Sequence, residues 1–314
     1  MQSQIEVIVN QGSGAANGAG DIKTQIEEAF KANNLQANVS VAASGEDLMR
    51  LAEEAAAGDA EIVVAGGGDG TMSGVASKII DTGKIFGILP LGTLNHFSKD
   101  LQIPPDLAEA ARVIAEGNVQ EVDVGEVNGQ IFINNSSIGL YPNIVRRRKL
   151  QQRLGRGKWA AAFWAATRVL RRYPFLSIKL KIDGEEIRRM TPFLFVGNNE
   201  YEMDFFNIGT RKCLDDGKLS IYLLHRTGRA GLLMLALRSL FGVMQRAKDF
   251  ESVCVEDFEI ETRRKKSLLV AYDGEVSMMQ SPLSYKIHPK ALKVLVPKPV
   301  TGREGDEEKG KPSA

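Results

Sequence analysis

The run Glu61-Ile62-Val63-Val64-Ala65-Gly66-Gly67-Gly68-Asp69-Gly70-Thr71 constrains the fold more than any other part of the chain. Ile62 to Ala65 is short, apolar and partly β-branched, the pattern of a buried strand. Three consecutive glycines, one acid, a fourth glycine and Thr71 follow it. Apolar residues then recur at Met72, Val75, Ala76, Ile79 and Ile80, a helical spacing. The stretch therefore predicts a strand, a glycine turn and a helix. Glycines in such a turn let a ligand approach the main chain closely. Unpaired amides at the start of the helix attract an anion, usually phosphate. Asp69 stands inside that turn, where a carboxylate repels phosphate unless a cation lies between them, so the stretch points to a nucleotide with Mg²⁺. A tight turn with a helix-capping acid is the other reading of the same residues.

The flanking sequence places this turn in a larger pattern. Ile5–Val9 predicts a strand, followed by a small polar turn, Asn10-Gln11-Gly12-Ser13-Gly14. Asp21 to Asn33 predicts a helix with Ile22, Ile26, Ala29 and Phe30 on one face. Ala37–Ala42 predicts a second strand, and Ser44-Gly45-Glu46-Asp47 a capped start to the helix 47–57. Phe86–Pro90 predicts the strand before Leu91-Gly92-Thr93-Leu94-Asn95-His96-Phe97, and Asp106 to Glu116 another helix. Strands alternating with helices imply a doubly wound parallel sheet, whose ligands bind beyond the carboxyl ends of its strands. The turns at 10–14, 66–71 and 92–95 all fall at such ends and are expected to share one crevice.

Near Asp123 the texture changes. Strand-like runs follow one another at 122–127, 130–134, 177–182, 193–197, 218–224, 253–261, 268–272 and 283–287. Asn128-Gly129 and Asp183-Gly184 carry hairpin chemistry. A second, mainly antiparallel β-sandwich-like domain is expected over 123–290, with helical inserts around 141–172 and 228–247. The first domain is expected over 1–122, completed by a returning strand within 291–300. Residues 301–314, rich in Gly, Glu, Lys and Pro, read as a disordered tail.

Composition narrows the chemistry. A net charge of +1 does not point to nucleic acid or to an acidic partner. Two cysteines and three scattered histidines do not form a Cys/His zinc pattern. No signal-peptide pattern opens the chain, and the most apolar later stretch, 230–244, is shorter than the roughly 20 residues of a membrane span. A cytoplasmic protein is expected.

These motifs together carry a resemblance. Gly67-Gly68-Asp69-Gly70-Thr71 resembles the nucleotide-binding signature of diacylglycerol/sphingosine-type lipid kinases and, more distantly, of NAD kinases and phosphofructokinases. Leu89-Pro90-Leu91-Gly92-Thr93-Leu94-Asn95 resembles the second signature of the lipid branch. The runs 123–134 and 214–219, and Asp273-Gly274-Glu275, resemble further motifs of soluble bacterial diacylglycerol-kinase-like enzymes, in the same order. The combination is specific where a single motif is not. The resemblance implies ATP phosphates held by Gly66, Gly67, Gly68, Gly70 and Thr71, with Asn10, Gly14, Thr93 and Asn95 beside them. It implies that Asp69 acts through Mg²⁺, and that Glu275 is the general base toward a substrate hydroxyl. It further implies a structural metal on Asp216 and the main-chain carbonyls of Cys213 and Lys218. Three positions depart from the family's pattern: Gln11 stands where proline is frequent, Ala42 where threonine is usual, and His96 where many members have Asp.

Several readings stay open on the residues themselves. Asp215 and Asp216 suit a hard cation or a plain surface turn. Asp273 is a second carboxylate candidate beside Glu275, and Asn198-Asn199-Glu200 reads as a strand-end turn near the substrate cleft. The segment 146–172 interleaves Arg and Lys with Trp159, Phe163 and Trp164, which suits contact with an anionic membrane surface. The expected function is a peripherally membrane-associated kinase moving the γ-phosphate of MgATP to a lipid alcohol. An NAD-kinase-like enzyme acting on a ribose hydroxyl, and a non-catalytic nucleotide- or lipid-binding regulator, are the alternatives.

Overall fold

The structure, a computed structural model, describes residues 4–12, 19–143, 176–204, 207–211, 214–224, 250–262 and 266–298. Gly14, Cys213, the tail 301–314 and, apart from a helical turn at 140–143, the basic segment and both expected helical inserts lie outside the described residues.

The first half alternates: β1 (Ile5–Asn10), α1 (Ala19–Ala32), β2 (Ala37–Ala42), α2 (Gly45–Ala57), β3 (Ile62–Gly67), α3 (Asp69–Ile79), β4 (Ile85–Pro90), α4 (His96–Asp100) and α5 (Leu107–Glu116). Side chains mark the helix starts. Asp47 N donates to Ser44 Oγ (3.1 Å) while the Asp47 carboxylate takes Ala43 N (3.0 Å), a reciprocal cap on α2. Asp106 accepts from Glu109 N at the head of α5, and Gly117, in the left-handed region at φ 66°, ends it. The strands pair in the order β2-β1-β3-β4, all parallel. Helix α1 packs with α5 and α2 with α3, the doubly wound arrangement that right-handed crossovers produce. Ile26 and Phe30 of α1, Val75 of α3 and Ile114 of α5 meet Val7, Val64 and Phe86 of the sheet in one core. Each such large side chain, fully buried, contributes about 1.5–3 kcal/mol.

The second half is antiparallel: β5 (Val119–Val127), β6 (Gln130–Phe132), β7 (Asn135–Gly139), β8 (Leu176–Ile182), β9 (Glu185–Thr191), β10 (Phe193–Asn198), β11 (Tyr201–Asp204), β12 (Asn207–Arg211), β13 (Leu219–Leu224), β14 (Phe250–Val255), β15 (Asp257–Thr262), β16 (Ser267–Tyr272), β17 (Glu275–Gln280) and β18 (Leu283–Leu295). One sheet runs β14-β13-β10-β7-β16-β17. Its Ile138, Val196, Ile221 and Val270 close a second core against Ile178, Phe258, Ile260 and Tyr285 of β8, β15 and β18. The architecture is thus an N-terminal α/β domain with a parallel sheet and a C-terminal antiparallel β-sandwich. Three hairpin turns, Asn128-Gly129, Asp183-Gly184 and Asp273-Gly274, hold both central residues at positive φ, the type I′ form that matches strand twist.

Strand β18 crosses between the cores. Its first part pairs antiparallel with β15, and Lys293 and Val294 pair parallel with Ile85 and Phe86 of β4. Pro289 and Lys290 sit in the irregularity between His288 and Leu292 where the strand changes partners. Proline has no amide to give a ladder, and Lys290, at φ 54°, instead donates its N–H to the buried Asp123 (2.8 Å).

Strands β7, β9, β11, β12 and β17 were not expected, and other segments differ from expectation by more than their ends. The run 253–261 is two strands, β14 and β15, with Glu256 between them as the chain passes from one sheet to the other. The run 283–287 and the returning strand expected within 291–300 belong to one strand, β18, which ends at Leu295, because a β-bulge absorbs the polar interruption. His96 begins a short helix, α4, that was not expected. Among the described residues, no helix is long and apolar enough to cross a membrane.

Candidate active site

Parallel pairing brings the carboxyl ends of β1, β3 and β4 to one edge, and each continues into one of the polar turns. Asn10, the last residue of β1, donates from Nδ2 to Thr71 Oγ1 of α3 (3.2 Å) and accepts Gly12 N on Oδ1 (3.1 Å). Gly92 N donates to Gly67 O (3.1 Å), joining the third turn to the second. The glycines are required by approach distance. A Cβ on Gly67 would lie 2.4 Å from Thr71 Oγ1, and one on Gly92 would lie 2.4 Å from Gly68 Cα. Asn95, buried and in the left-handed region at φ 50°, pins the third turn by donating to Pro90 O (3.0 Å) and Gly92 O (2.7 Å). Thr93 and His96 are exposed. Ala42, where the resemblance puts a threonine, is fully buried among apolar neighbours, and its carbonyl accepts Gln11 N (3.0 Å). It stabilises the first turn from below and offers no side chain to a ligand.

Asp69 occupies the first turn of α3, and its Oδ1 accepts Phe97 N (3.1 Å) from α4. Asp69 does not cap α3, whose N-cap is Gly68 with no side-chain bond; one oxygen instead ties α4 to α3, and the second oxygen of a carboxylate retains its own acceptor capacity. One hard oxygen beside a glycine turn fits Mg²⁺, which is commonly shared between one or two carboxylates and substrate phosphates. Among the described residues, no three His, Cys, Asp or Glu side chains cluster as a self-contained metal cage.

A cleft of about 550 Å³ opens beside α3. Asn10, Gly68, Gly70 and Thr71 line it from the α/β domain, and Gln130, Tyr272 and Glu275 from the sandwich. Glu275 reaches the cleft because the Asp273-Gly274 hairpin ends β16 there. It is the first residue of β17, paired with Tyr272. Asp273 also borders the cleft but is not a second base. Its Oδ2 accepts Ser73 Oγ (2.7 Å) and Ile133 N (2.7 Å), and its Oδ1 accepts Asn134 N (2.9 Å) and Asn135 N (3.0 Å). Burial pushes its carboxyl up from the ordinary value, and these four donors pull against that shift. Four donors on two buried oxygens make it a fastener between domains.

The loop 214–218 is fixed by another buried acid. Asp123 accepts Gly217 N on Oδ2 (2.6 Å), and its own N–H donates to Leu214 O (2.7 Å). Asp216 is exposed in this loop, and the Lys218 carbonyl already accepts Asn199 N (3.0 Å). Cys213 lies outside the described residues, so the expected metal set is not assembled from them.

Sequence reasoning missed Arg211 altogether. Its guanidinium is fully buried, paired with Asp100 of α4 (Nε to Oδ2, 2.8 Å), and it donates to the carbonyls of Ile133 (2.7 Å) and Asn198 (3.2 Å). In sequence it stands beside Lys212, and no periodicity separates a buried arginine from a solvated basic pair.

Comparison with known proteins agrees with this geometry. The family described as "Diacylglycerol kinase catalytic domain" matches residues 4–127. The family described as "YegS C-terminal NAD kinase beta sandwich-like domain" matches residues 143–296. A relative named diacylglycerol kinase from Bacillus subtilis (strain 168) is 24% identical over 260 residues, 81% of this chain and 84% of that protein. Another of that name from Staphylococcus carnosus is 26% identical over 176 residues, 55% of this chain and 57% of that protein. A crystal structure of a diacylglycerol kinase from Bacillus anthracis shares the fold at a TM-score of 0.68, with 22% identity, over 94% of this chain and 97% of that one. With both halves matched in series and the same fold throughout, the chain belongs to the bacterial diacylglycerol kinase/YegS-like family of lipid kinases.

Proposed function

We propose that this kinase transfers the γ-phosphate of ATP to the hydroxyl of a lipid alcohol, such as a diacylglycerol or a sphingoid base. The observation that carries the reading is one cleft lined both by Gly68, Gly70 and Thr71 at the head of α3 and by Glu275 of the other domain. Main-chain N–H groups of Gly68 and Gly70 bind phosphate oxygens, favoured by the helix dipole, while Thr71 N is already bonded to Gly68 O (2.9 Å). Asp69 holds Mg²⁺, which when bound neutralises charge building on the phosphate oxygens. Glu275 accepts the proton of the attacking hydroxyl. The lipid oxygen bonds to the γ-phosphorus, the bond from that phosphorus to the bridging oxygen breaks, and ADP leaves with the electron pair. The packed turns supply alignment, the main source of catalysis in phosphoryl transfer. The basic segment 146–172 is proposed to bring the enzyme to its substrate at an anionic membrane surface.

The test is transfer of labelled γ-phosphate from MgATP into organic-extractable product, using mixed micelles that hold a panel of lipid alcohols. Label in one lipid supports the reading and names the acceptor. No label in any lipid, with label on NAD in a parallel aqueous assay, overturns the lipid assignment.

A further inference from the structure

The connection between β6 and β7, residues 133–135, is gripped from both sides by buried charge. On one side Asp273 takes its three amides and is itself bonded to Ser73 of α3. On the other side Arg211 donates to Ile133 O (2.7 Å), with a longer contact to Asn134 Oδ1 (3.4 Å). Arg211 is in turn paired with Asp100 of α4, with side-chain exposures of 0% and 6%. The rings of Phe97 and Tyr201 lie 5.7 Å and 5.6 Å from its guanidinium carbon. Tyr201 also donates its hydroxyl to Asn134 O (2.9 Å). Phe97 carries the amide that Asp69 holds. The contacts form a closed circuit: Asp69, α4, Arg211, residues 133–135, Asp273 and back to α3. Glu275 is two residues beyond Asp273 on this circuit.

We infer that Arg211 is a positioning residue for phosphoryl transfer: by clamping α4 to residues 133–135 it fixes the distance between the phosphate-binding turn and Glu275. The planar five-donor fork of arginine suits this role. It serves a carboxylate and two carbonyls at once, whereas the point charge of lysine serves fewer partners in fixed directions. The inference rests on the lipid-kinase reading for its kinetic consequence and on the structure alone for its mechanical one. Arg211 joins α4 to residues 133–135, and these two are bonded in turn, respectively, to Asp69 at the head of α3 and to Asp273 in the hairpin that precedes Glu275.

The experiment compares wild type, Arg211→Lys, Arg211→Met and the double variant Arg211→Met/Asp100→Leu. The double variant removes both buried charges together, which commonly preserves folding where removing one does not. The clamp predicts a fall in kcat of about 100-fold in the double variant, the scale of a 1 Å misplacement, with the KM for nucleotide within about threefold of wild type. Arg211→Lys recovers part of that kcat because it keeps the charge toward Asp100. Native-state hydrogen exchange supplies a readout independent of activity. The amides of Ile133, Asn134 and Asn135, bonded to Asp273 and not to Arg211, lose protection in the double variant. Unchanged kcat, or a fall in which lysine gives no rescue and both KM values rise together, overturns the inference. If wild type phosphorylates no lipid alcohol, the reading under Proposed function falls, and exchange decides the clamp alone. Unchanged protection at 133–135 then overturns it.

Discussion

Asp69 is held by the fold and is also the residue proposed to serve the chemistry. Its Oδ1 fixes α4 through Phe97 N, and its place at the head of α3 puts it beside the turn proposed to bind phosphate. The two roles separate by mutation. Asp69→Asn keeps an acceptor oxygen for Phe97 N, whereas Asp69→Ala leaves that amide without one. Urea unfolding without nucleotide is expected to show Asp69→Ala less stable by about 1–2 kcal/mol and Asp69→Asn near wild type. Both variants are expected to lose phosphoryl transfer, because neither retains a charged ligand for Mg²⁺. Equal stability of the two, or transfer retained by Asp69→Asn, would contradict the double role. Asp273 makes the complementary point. Its place beside Glu275 in sequence offers it as a base, and only its four donors reveal that both oxygens are taken.

Close packing of turns, more than any side chain, shapes the α/β side of the cleft, where the nucleotide is proposed to bind. Gly92 lies against Gly68 with no room for a methyl group, while a Cβ on Gly70 would meet nothing within 4 Å. Gly92→Ala is therefore expected to cost about 1–3 kcal/mol through forced separation of the turns, and to weaken nucleotide binding. Gly70→Ala is expected to change stability by less than about 0.5 kcal/mol, as exposed helical substitutions do. Thermal or urea unfolding of the pair measures the contrast, and similar losses in both would show that the approach of Gly92 to Gly68 is not what matters. These turns were legible in the sequence because glycine runs at strand ends have few other uses. The alternation of β1 to α5 was legible for the same reason of strong local pattern. What escaped depends on distant partners. The polar, edge-lying β9 lacks an apolar alternation, β14 and β15 read as one run because the change of sheet at Glu256 leaves no breaker residue, and the burial of Arg211 is decided by Asp100, 111 residues earlier. Gly14 and Cys213, both expected at sites, lie outside the described residues.

Strand β18 makes the two domains mechanically one. It contributes Leu283, Tyr285 and Ile287 to the sandwich core and Leu292, Val294 and Leu295 to the α/β core. Unfolding either core strips a strand from the other. Thermal unfolding followed by far-UV and by near-UV circular dichroism is expected to give coincident single transitions. Two separated transitions would show that the cores melt independently and that β18 does not couple them. The same continuity sets the cleft, since its walls come from both domains, the glycine turn from one and Glu275 from the other. The most direct test of that claim is one comparison, nucleotide affinity and lipid phosphorylation rate for wild type and Glu275→Gln. The cleft described above predicts that Glu275→Gln binds MgATP within about threefold of wild type while its transfer rate falls by about 10²–10⁴-fold, the range for loss of a general base. Transfer at the wild-type rate, or affinity lost together with activity, would contradict the placement of Glu275 as the base opposite the nucleotide turn.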